Sequence, residues 1–365
     1  MSPCERASLL KGSEPDLPIK YTRLLDPVTV VKNQCGPTCA LETTIGMFEQ
    51  MLLERTGKTV ELSSDFLIAR WLRDRTLRSI ANKKLEFPPG ASLLDVLKLV
   101  ERHGLMPKSA WQPILPLQSY FDALEKLVEK YRDKAANGVK WDARLALGTP
   151  EVRELYRKFM MGAPKDFNFE GSRISPRQLV KLLMPNTMLL HRVMAPGLYK
   201  VLEMPRTRDL VSENRKYAAE AKRLHSHILP QYEKAELGLS VVQDDSLDEI
   251  IKNAIDQDLN VGIAIQWNTA FVDESQGIAT MATSPGTEFP TPVSQRDRWH
   301  YIRTPLHEMR AVGYKLDGAG KIEWLRIRNS YGKENGNQGE YDVHRSYLYY
   351  YLEEIEVLEP KPDLG

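Results

Sequence analysis

The chain has 365 residues, 42% hydrophobic and 27% charged, with 50 Lys+Arg against 49 Asp+Glu and a formal net charge of +1. That composition excludes disordered and fibrous classes and allows a large core in two or three lobes, while the balanced charge provides no long-range attraction to nucleic acid or acidic membrane. No run of roughly 18 apolar residues exists to span a bilayer, and Met1-Ser2-Pro3-Cys4-Glu5-Arg6 lacks a secretory pattern, so a cytoplasmic protein without a membrane partner is expected.

Residues 1–20 are polar, with Gly12, Pro15 and Pro18, and read as an arm. Leu24 to Gln34 alternates weakly and runs into the turn-rich Asn33-Gln34-Cys35-Gly36-Pro37-Thr38. From Cys39, apolar Leu41, Ile45, Phe48 and Leu52 recur at helical spacing for about four turns, which puts Cys39 at a helix start. Ser63 or Ser64 caps a second helix carrying Phe66, Leu67, Ala69 and Trp71; Ser92 begins a third, stopped at His103-Gly104. From about 115 to 240 the pattern is helical, with start signals at Thr149-Pro150 and Ser175-Pro176. That stretch holds 22 Lys+Arg and 15 Asp+Glu, leaving 28 and 34 elsewhere. The near-neutral total therefore hides a basic segment, read as a solvated face because it has no dense Lys/Arg cluster. Ser246 with Glu249 fits a capping box, Val261 to Trp267 alternates as a strand, and further strand signals sit at 309–316, 324–328 and 351–358. Helices first and strands last describe an α+β protein with segregated lobes.

Three cysteines, Cys4, Cys35 and Cys39, are too few for a disulfide scaffold or, with scattered histidines, for a zinc module, and no cofactor is called for. A helix N-terminus and a neighbouring imidazolium both stabilise a thiolate, and Cys39 has the first from sequence alone. His307, leading into a strand, offers the second; Asn329 in Asn329-Ser330-Tyr331-Gly332 offers an amide to hold the imidazole in its useful tautomer. Gln34, five residues before Cys39, is placed to supply a side-chain N–H beside the Cys39 backbone N–H for a developing oxyanion.

In this order and with these flanks the sequence resembles the papain-like cysteine peptidases, and within them the bleomycin hydrolase/aminopeptidase C branch. Val31-Lys32-Asn33-Gln34 with Cys39 is similar to the family's glutamine-and-cysteine block, His307-Glu308-Met309 to its histidine block, and Leu325 to Gly332 to its asparagine block. Val60-Glu61-Leu62-Ser63 and Leu99 to Ser109 also resemble segments of the branch, as do Gly162-Ala163-Pro164 and Ile174-Ser175-Pro176. The resemblance implies a papain-like two-lobed fold, a helical lobe plus an antiparallel β-barrel-like lobe, with a large helical insertion. The expected segments are an arm at 1–20, a helical lobe with the nucleophile helix at 21–114, the insertion at 115–240 and a β-rich lobe with His307 and Asn329 at 241–365. It further implies a cysteine-type peptidase or amide hydrolase acting on peptides or amide-containing small molecules, with homo-oligomer contacts through the insertion. Gly90-Ala91 falls where the branch has a Gly-Gly pair that approaches bound peptide, so these residues are the expected substrate-binding pair; a plain turn is the other reading.

The sequence departs from the pattern in four places. The Gln34–Cys39 spacing is one residue short, Ala40 replaces the tryptophan after the nucleophile while Glu42 replaces an apolar residue, Tyr331 stands for the tryptophan of the asparagine turn, and the branch's long C-terminal arm has no counterpart after Leu358. Strict aminopeptidase action is therefore not carried over. Cys35 is a rival nucleophile and His300 a rival base. Acyl transfer to an amine, or a non-catalytic binding role on the same scaffold, are the alternative functions; nucleic acid is not an expected partner.

Overall fold

The computed structural model describes residues 19–25, 31–34, 36–81, 90–137, 149–184, 188–194, 198–204, 239–241, 244–280 and 306–360. Cys35, His300, the arm up to residue 18 and residues 205–238 of the expected insertion lie outside them. The chain opens with a two-residue strand, β1 (Arg23–Leu24), whose partner comes late in the sequence. Helices α1 (Cys39–Thr56), α2 (Ser64–Ala81), α3 (Leu93–His103), α4 (Leu117–Ala136) and α5 (Pro150–Phe159) follow, then the hairpin β2 (Phe167–Phe169) and β3 (Ser172–Ile174), and α6 (Pro176–Leu183). Next come β4 (Met188–Met194), β5 (Leu198–Met204), β6 (Leu239–Val241), α7 (Asp244–Asp256), β7 (Asn260–Gln266), β8 (Val272–Asp273) and β9 (Ile278–Ala279). The described chain closes with β10 (Leu306–Leu316), β11 (Ile322–Arg328), β12 (Glu340–His344), α8 (Arg345–Tyr351) and β13 (Leu352–Pro360). The elements group into two compact units, divided after Pro27 and after Leu183.

The first unit is built on α1, in which every residue from Cys39 to Leu52 is buried. A helix enclosed on all sides must satisfy its polar groups internally. Accordingly Thr44 Oγ1 donates to the Ala40 carbonyl at 2.6 Å and Gln50 Nε2 to Glu54 at 2.9 Å. Lys32 Nζ donates to Glu49 Oε1, which also accepts from the Leu62 N–H at 2.7 Å. The expected caps divide. Ser63 Oγ accepts from Phe66 N, Ser92 and Asp95 form a reciprocal capping box, and Ser175 accepts from Gln178 N. Thr149 makes no side-chain cap bond; there Pro150 at the first helical position starts the helix. The Val60–Ser63 and Met106–Lys108 segments lie against each other, through Ser63 N to the Met106 carbonyl and Lys108 N to the Glu61 carbonyl, both at 2.8 Å. Phe66, Trp111, Phe159 and Tyr120 form an aromatic core, with Trp111 edge-on to Phe66 and Phe159, and Tyr120 stacked on Phe159 at 4.6 Å.

The second unit is a mainly antiparallel sheet of eleven strands in the order β6-β5-β4-β13-β7-β10-β11-β12-β9-β8, with β1 added to β10. Its core gathers Ile251 and Ile255 of α7, Val261, Ile263 and Ile265 of β7, Met309 and Ala311 of β10, Ile327 of β11 and Ile355 of β13. Two expectations are corrected here. The helical pattern expected over 115–240 is interrupted by the β2–β3 hairpin at 167–174 and, after Leu183, gives way to a hairpin at 188–204, where two seven-residue strands pair from Met188↔Met204 to Met194↔Leu198. Ala195-Pro196-Gly197 between two mixed apolar runs was the turn signal in the sequence. The helix expected to be capped by Ser246 begins at Asp244, which puts Ser246 in its first turn.

Two glycines give opposite expectations. Gly104 ends α3 at φ 80° and ψ −172°, and a Cβ there would fall 2.1 Å from the Pro176 backbone, which receives the Leu105 N–H at 3.0 Å. Gly104→Ala should cost roughly 1–3 kcal/mol for backbone conformation alone, and more for the clash. Gly46 is buried mid-helix with nothing within 4 Å of a Cβ built on it. Gly46→Ala should stabilise by about 0.5–1 kcal/mol. Denaturant melts of the two variants check both signs.

Candidate active site

In the first unit, the loop before α1 is tied to itself. Gly36 has φ 70° and its carbonyl accepts from Thr38 N at 2.9 Å and from Gln34 Nε2 at 2.9 Å. Gln34 is buried and one of its two amide N–H groups is committed to this bond. Thr38 precedes the helix and accepts from Glu42 N at 3.0 Å, and buried Cys39 is the first helical residue. Its thiol thus sits at the end of α1 where backbone N–H groups lack intrahelical acceptors and the helix dipole favours negative charge. Buried Ala40 fills the position of the expected tryptophan. Gly90 is exposed, and a Cβ on it would lie 3.7 Å from the Pro37 carbonyl, so Gly90 borders the loop before α1.

Glu42 lies one turn along α1 from Cys39. It is buried, accepts a hydrogen bond from Ser64 Oγ, and has Lys32, Asp65 and Glu49 as its charged neighbours. Burial pushes its carboxyl up to about 7, against the Ser64 bond and the Lys32 charge, which both lower it. The sequence marks Glu42 as a departure but does not show that it is buried.

In the second unit, β10 pairs with β11 with Arg310 opposite Arg328. Continuing that register past the end of β11 sets Tyr331 opposite His307 and Asn329 diagonal to it, on the same face. The side chains bear this out. The His307 ring stacks on Tyr331 at 4.6 Å and 10°, and His307 Nε2 meets Asn329 Oδ1 at 2.7 Å. Asn329 Oδ1 also accepts from Ser330 N at 2.6 Å, so the amide is oriented with oxygen toward both donors. An amide oxygen only accepts; Nε2 therefore carries the proton in the neutral ring and Nδ1 presents a lone pair. His307 is buried, and burial pushes its pKa down to about 4, opposed by the Asn329 bond and the Glu274 charge. Trp267 lies 6.1 Å from the imidazole. It had no role in the sequence reading; the signal was β7 itself, whose Ile265 is opposite His307.

No family model and no curated protein matches the sequence. Among solved structures, PepW from Lactobacillus rhamnosis aligns over 93% of this chain and 82% of its own, at 15% identity and a TM-score of 0.62. The chain has a papain-like fold. Procathepsin L 3 from the Tenebrio molitor larval midgut also aligns, over 99% of this chain and 80% of its own at 15% identity and a TM-score of 0.39. So does the SERA5 proenzyme of Plasmodium falciparum, over 93% and 63% at 12% identity and 0.41. Of the six expected site residues, Gln34 and Cys39 lie in the loop before α1 and at its start, His307 and Asn329 are joined by a hydrogen bond in the second unit, and Gly90 and Ala91 lie just before α3.

The raised Glu42 pKa has a definite sign for stability. Below about 4.5 the carboxyl is protonated whether folded or unfolded; between 4.5 and about 7 only the unfolded chain ionises, so folding loses stability as pH rises, and above 7 the full cost is present. Glu42→Gln should therefore match the parent near pH 4 and exceed it at pH 8 by up to about 3 kcal/mol in urea melts.

Proposed function

We propose that the chain is a cysteine-dependent hydrolase that cleaves peptide or amide bonds through an acyl-thioenzyme. The observation that carries the reading is the His307–Asn329 bond: it fixes the tautomer that leaves Nδ1 as a base, and the stacked Tyr331 ring keeps water from that bond. In the proposed cycle the Cys39 thiol gives its proton to His307 Nδ1 and the thiolate attacks the substrate carbonyl carbon. The oxyanion is held by the Cys39 backbone N–H and a Gln34 Nε2–H. Collapse breaks the C–N bond, and the departing amine takes the proton from His307. Water, deprotonated by the same nitrogen, then attacks the thioester to release the carboxylic acid and restore the thiol.

An imidazole whose pKa is pushed down to about 4 by burial is a poor proton store at neutral pH. A thiolate beside it would raise that value, because an opposite charge favours the imidazolium. The ion pair would thus be made by the two residues together. Gly90 and Ala91 are the proposed contact for the substrate backbone.

Cys39→Ala should lose all measurable hydrolysis of a panel of fluorogenic peptide amides, with free and with blocked amino termini, and His307→Ala should lose at least about a thousandfold. Turnover that survives in Cys39→Ala sinks the assignment. In the same variant, NMR should find the His307 imidazole neutral down to near pH 4, and charged to higher pH when the thiol is present.

A further inference from the structure

Cys39 and Glu42 stand three residues apart in the first turn of α1, and residues at that spacing are neighbours on one helix face, with Cβ atoms about 5–6 Å apart. Both are buried and both become anions when they lose a proton. A helix N-terminus carries a partial charge of about half a unit, enough to favour one such anion but not to cancel the repulsion between two. The surroundings of Glu42 leave the contest open. Toward it face Lys32 from the preceding loop, Ser64 and Asp65 from α2, and Glu49 two turns further along its own helix. Lys32 is the one cation among them, and its Nζ is bound to Glu49, which also holds the Leu62 N–H. In the cycle proposed above, His307 of the second unit acts on the Cys39 thiol.

We infer that Glu42 is a positioning residue for the nucleophile: it shares the N-terminus of α1 with Cys39, so that a proton held on the Glu42 carboxyl favours the Cys39 thiolate, and an ionised Glu42 disfavours it. The burial that holds Glu42 protonated toward neutral pH works in the same direction, since it keeps the competing charge away while the thiol ionises. Two coupled acids titrate as a pair, in steps that belong to neither alone. Thiolate formation at Cys39 should therefore extend over a wider pH range than a single acid allows. The inference rests on Cys39 being the reactive thiol, but its test does not use turnover.

The experiment is alkylation of the full chain by iodoacetamide, quenched at intervals between about pH 4 and pH 9, with the Cys39 peptide quantified by mass spectrometry so that Cys4 and Cys35 do not contribute. In the parent, the rate should rise with pH in a broad, two-step curve. In Glu42→Gln, which keeps an acceptor for Ser64, it should rise in one step with its midpoint lowered by about one pH unit, equivalent to about a tenfold higher thiolate-to-thiol ratio. Ser64→Ala retains both acids but removes the bond that favours the carboxylate, so it should shift the curve the same way by less. Curves for both variants that coincide with the parent would overturn the inference. Surviving hydrolysis in Cys39→Ala would instead overturn the proposed function and leave the alkylation result standing.

Discussion

The register of β10 against β11 is the constraint on which the candidate site in the second unit depends. Arg310 opposite Arg328 brings Asn329 and Tyr331, just beyond the last residue of β11, to the side chain of His307. A slip of one residue would turn His307 to the opposite face and leave a buried imidazole without an acceptor. What holds the register is apolar: Met309 and Ala311 of β10 and Ile327 of β11 are wholly enclosed in the same core, and Ile263 and Val261 of β7 meet them from the other side. The polar geometry of the site is thus fixed by hydrophobic packing on the face that His307 shares, and the hydrogen bond to Asn329 is its product.

The first unit solves a different problem. A helix as enclosed as α1 has no solvent face to which a carboxylate can turn, and burying Glu42 and Glu49 costs stability wherever each is ionised. Glu49 is answered by Lys32 and a backbone N–H, whereas Glu42 is answered by one hydroxyl. That inequality, within one stripe of one helix, separates a carboxyl that serves the fold from one whose charge is left to pH.

Local signals in the sequence carried as far as local physics reaches. Helical spacing after Cys39, the helix start at Ser92 and the Gly104 stop were legible because each is settled within a few residues. The pairing of His307 with Asn329 could be suggested from residue type and supported by resemblance, but no spacing rule brings positions 22 residues apart into contact. The hairpin at 188–204 was missed because its apolar runs suit a helix as well as a strand, and pairing with β13 decides between them. Trp267 and the enclosure of Glu42 depend on which elements pack together, and neither has a signature in the chain itself.

The pairing of β1 with β10 joins Leu24 to Gly313, residues separated by about 290 positions, and the Val28–Leu183 stretch of the first unit lies between them. Closing so long a loop has little effect on final stability but a large one on the order of events, because its entropy must be lost before the contact gives anything back. On a ribosome, β1 leaves the exit tunnel long before β10 and must wait until β10 has been made. The helices between are synthesised in the meantime. β10, the strand that carries His307, therefore pairs with β1 only after the helices of the first unit have been made, and β1 stays without this partner until about 290 further residues have followed it.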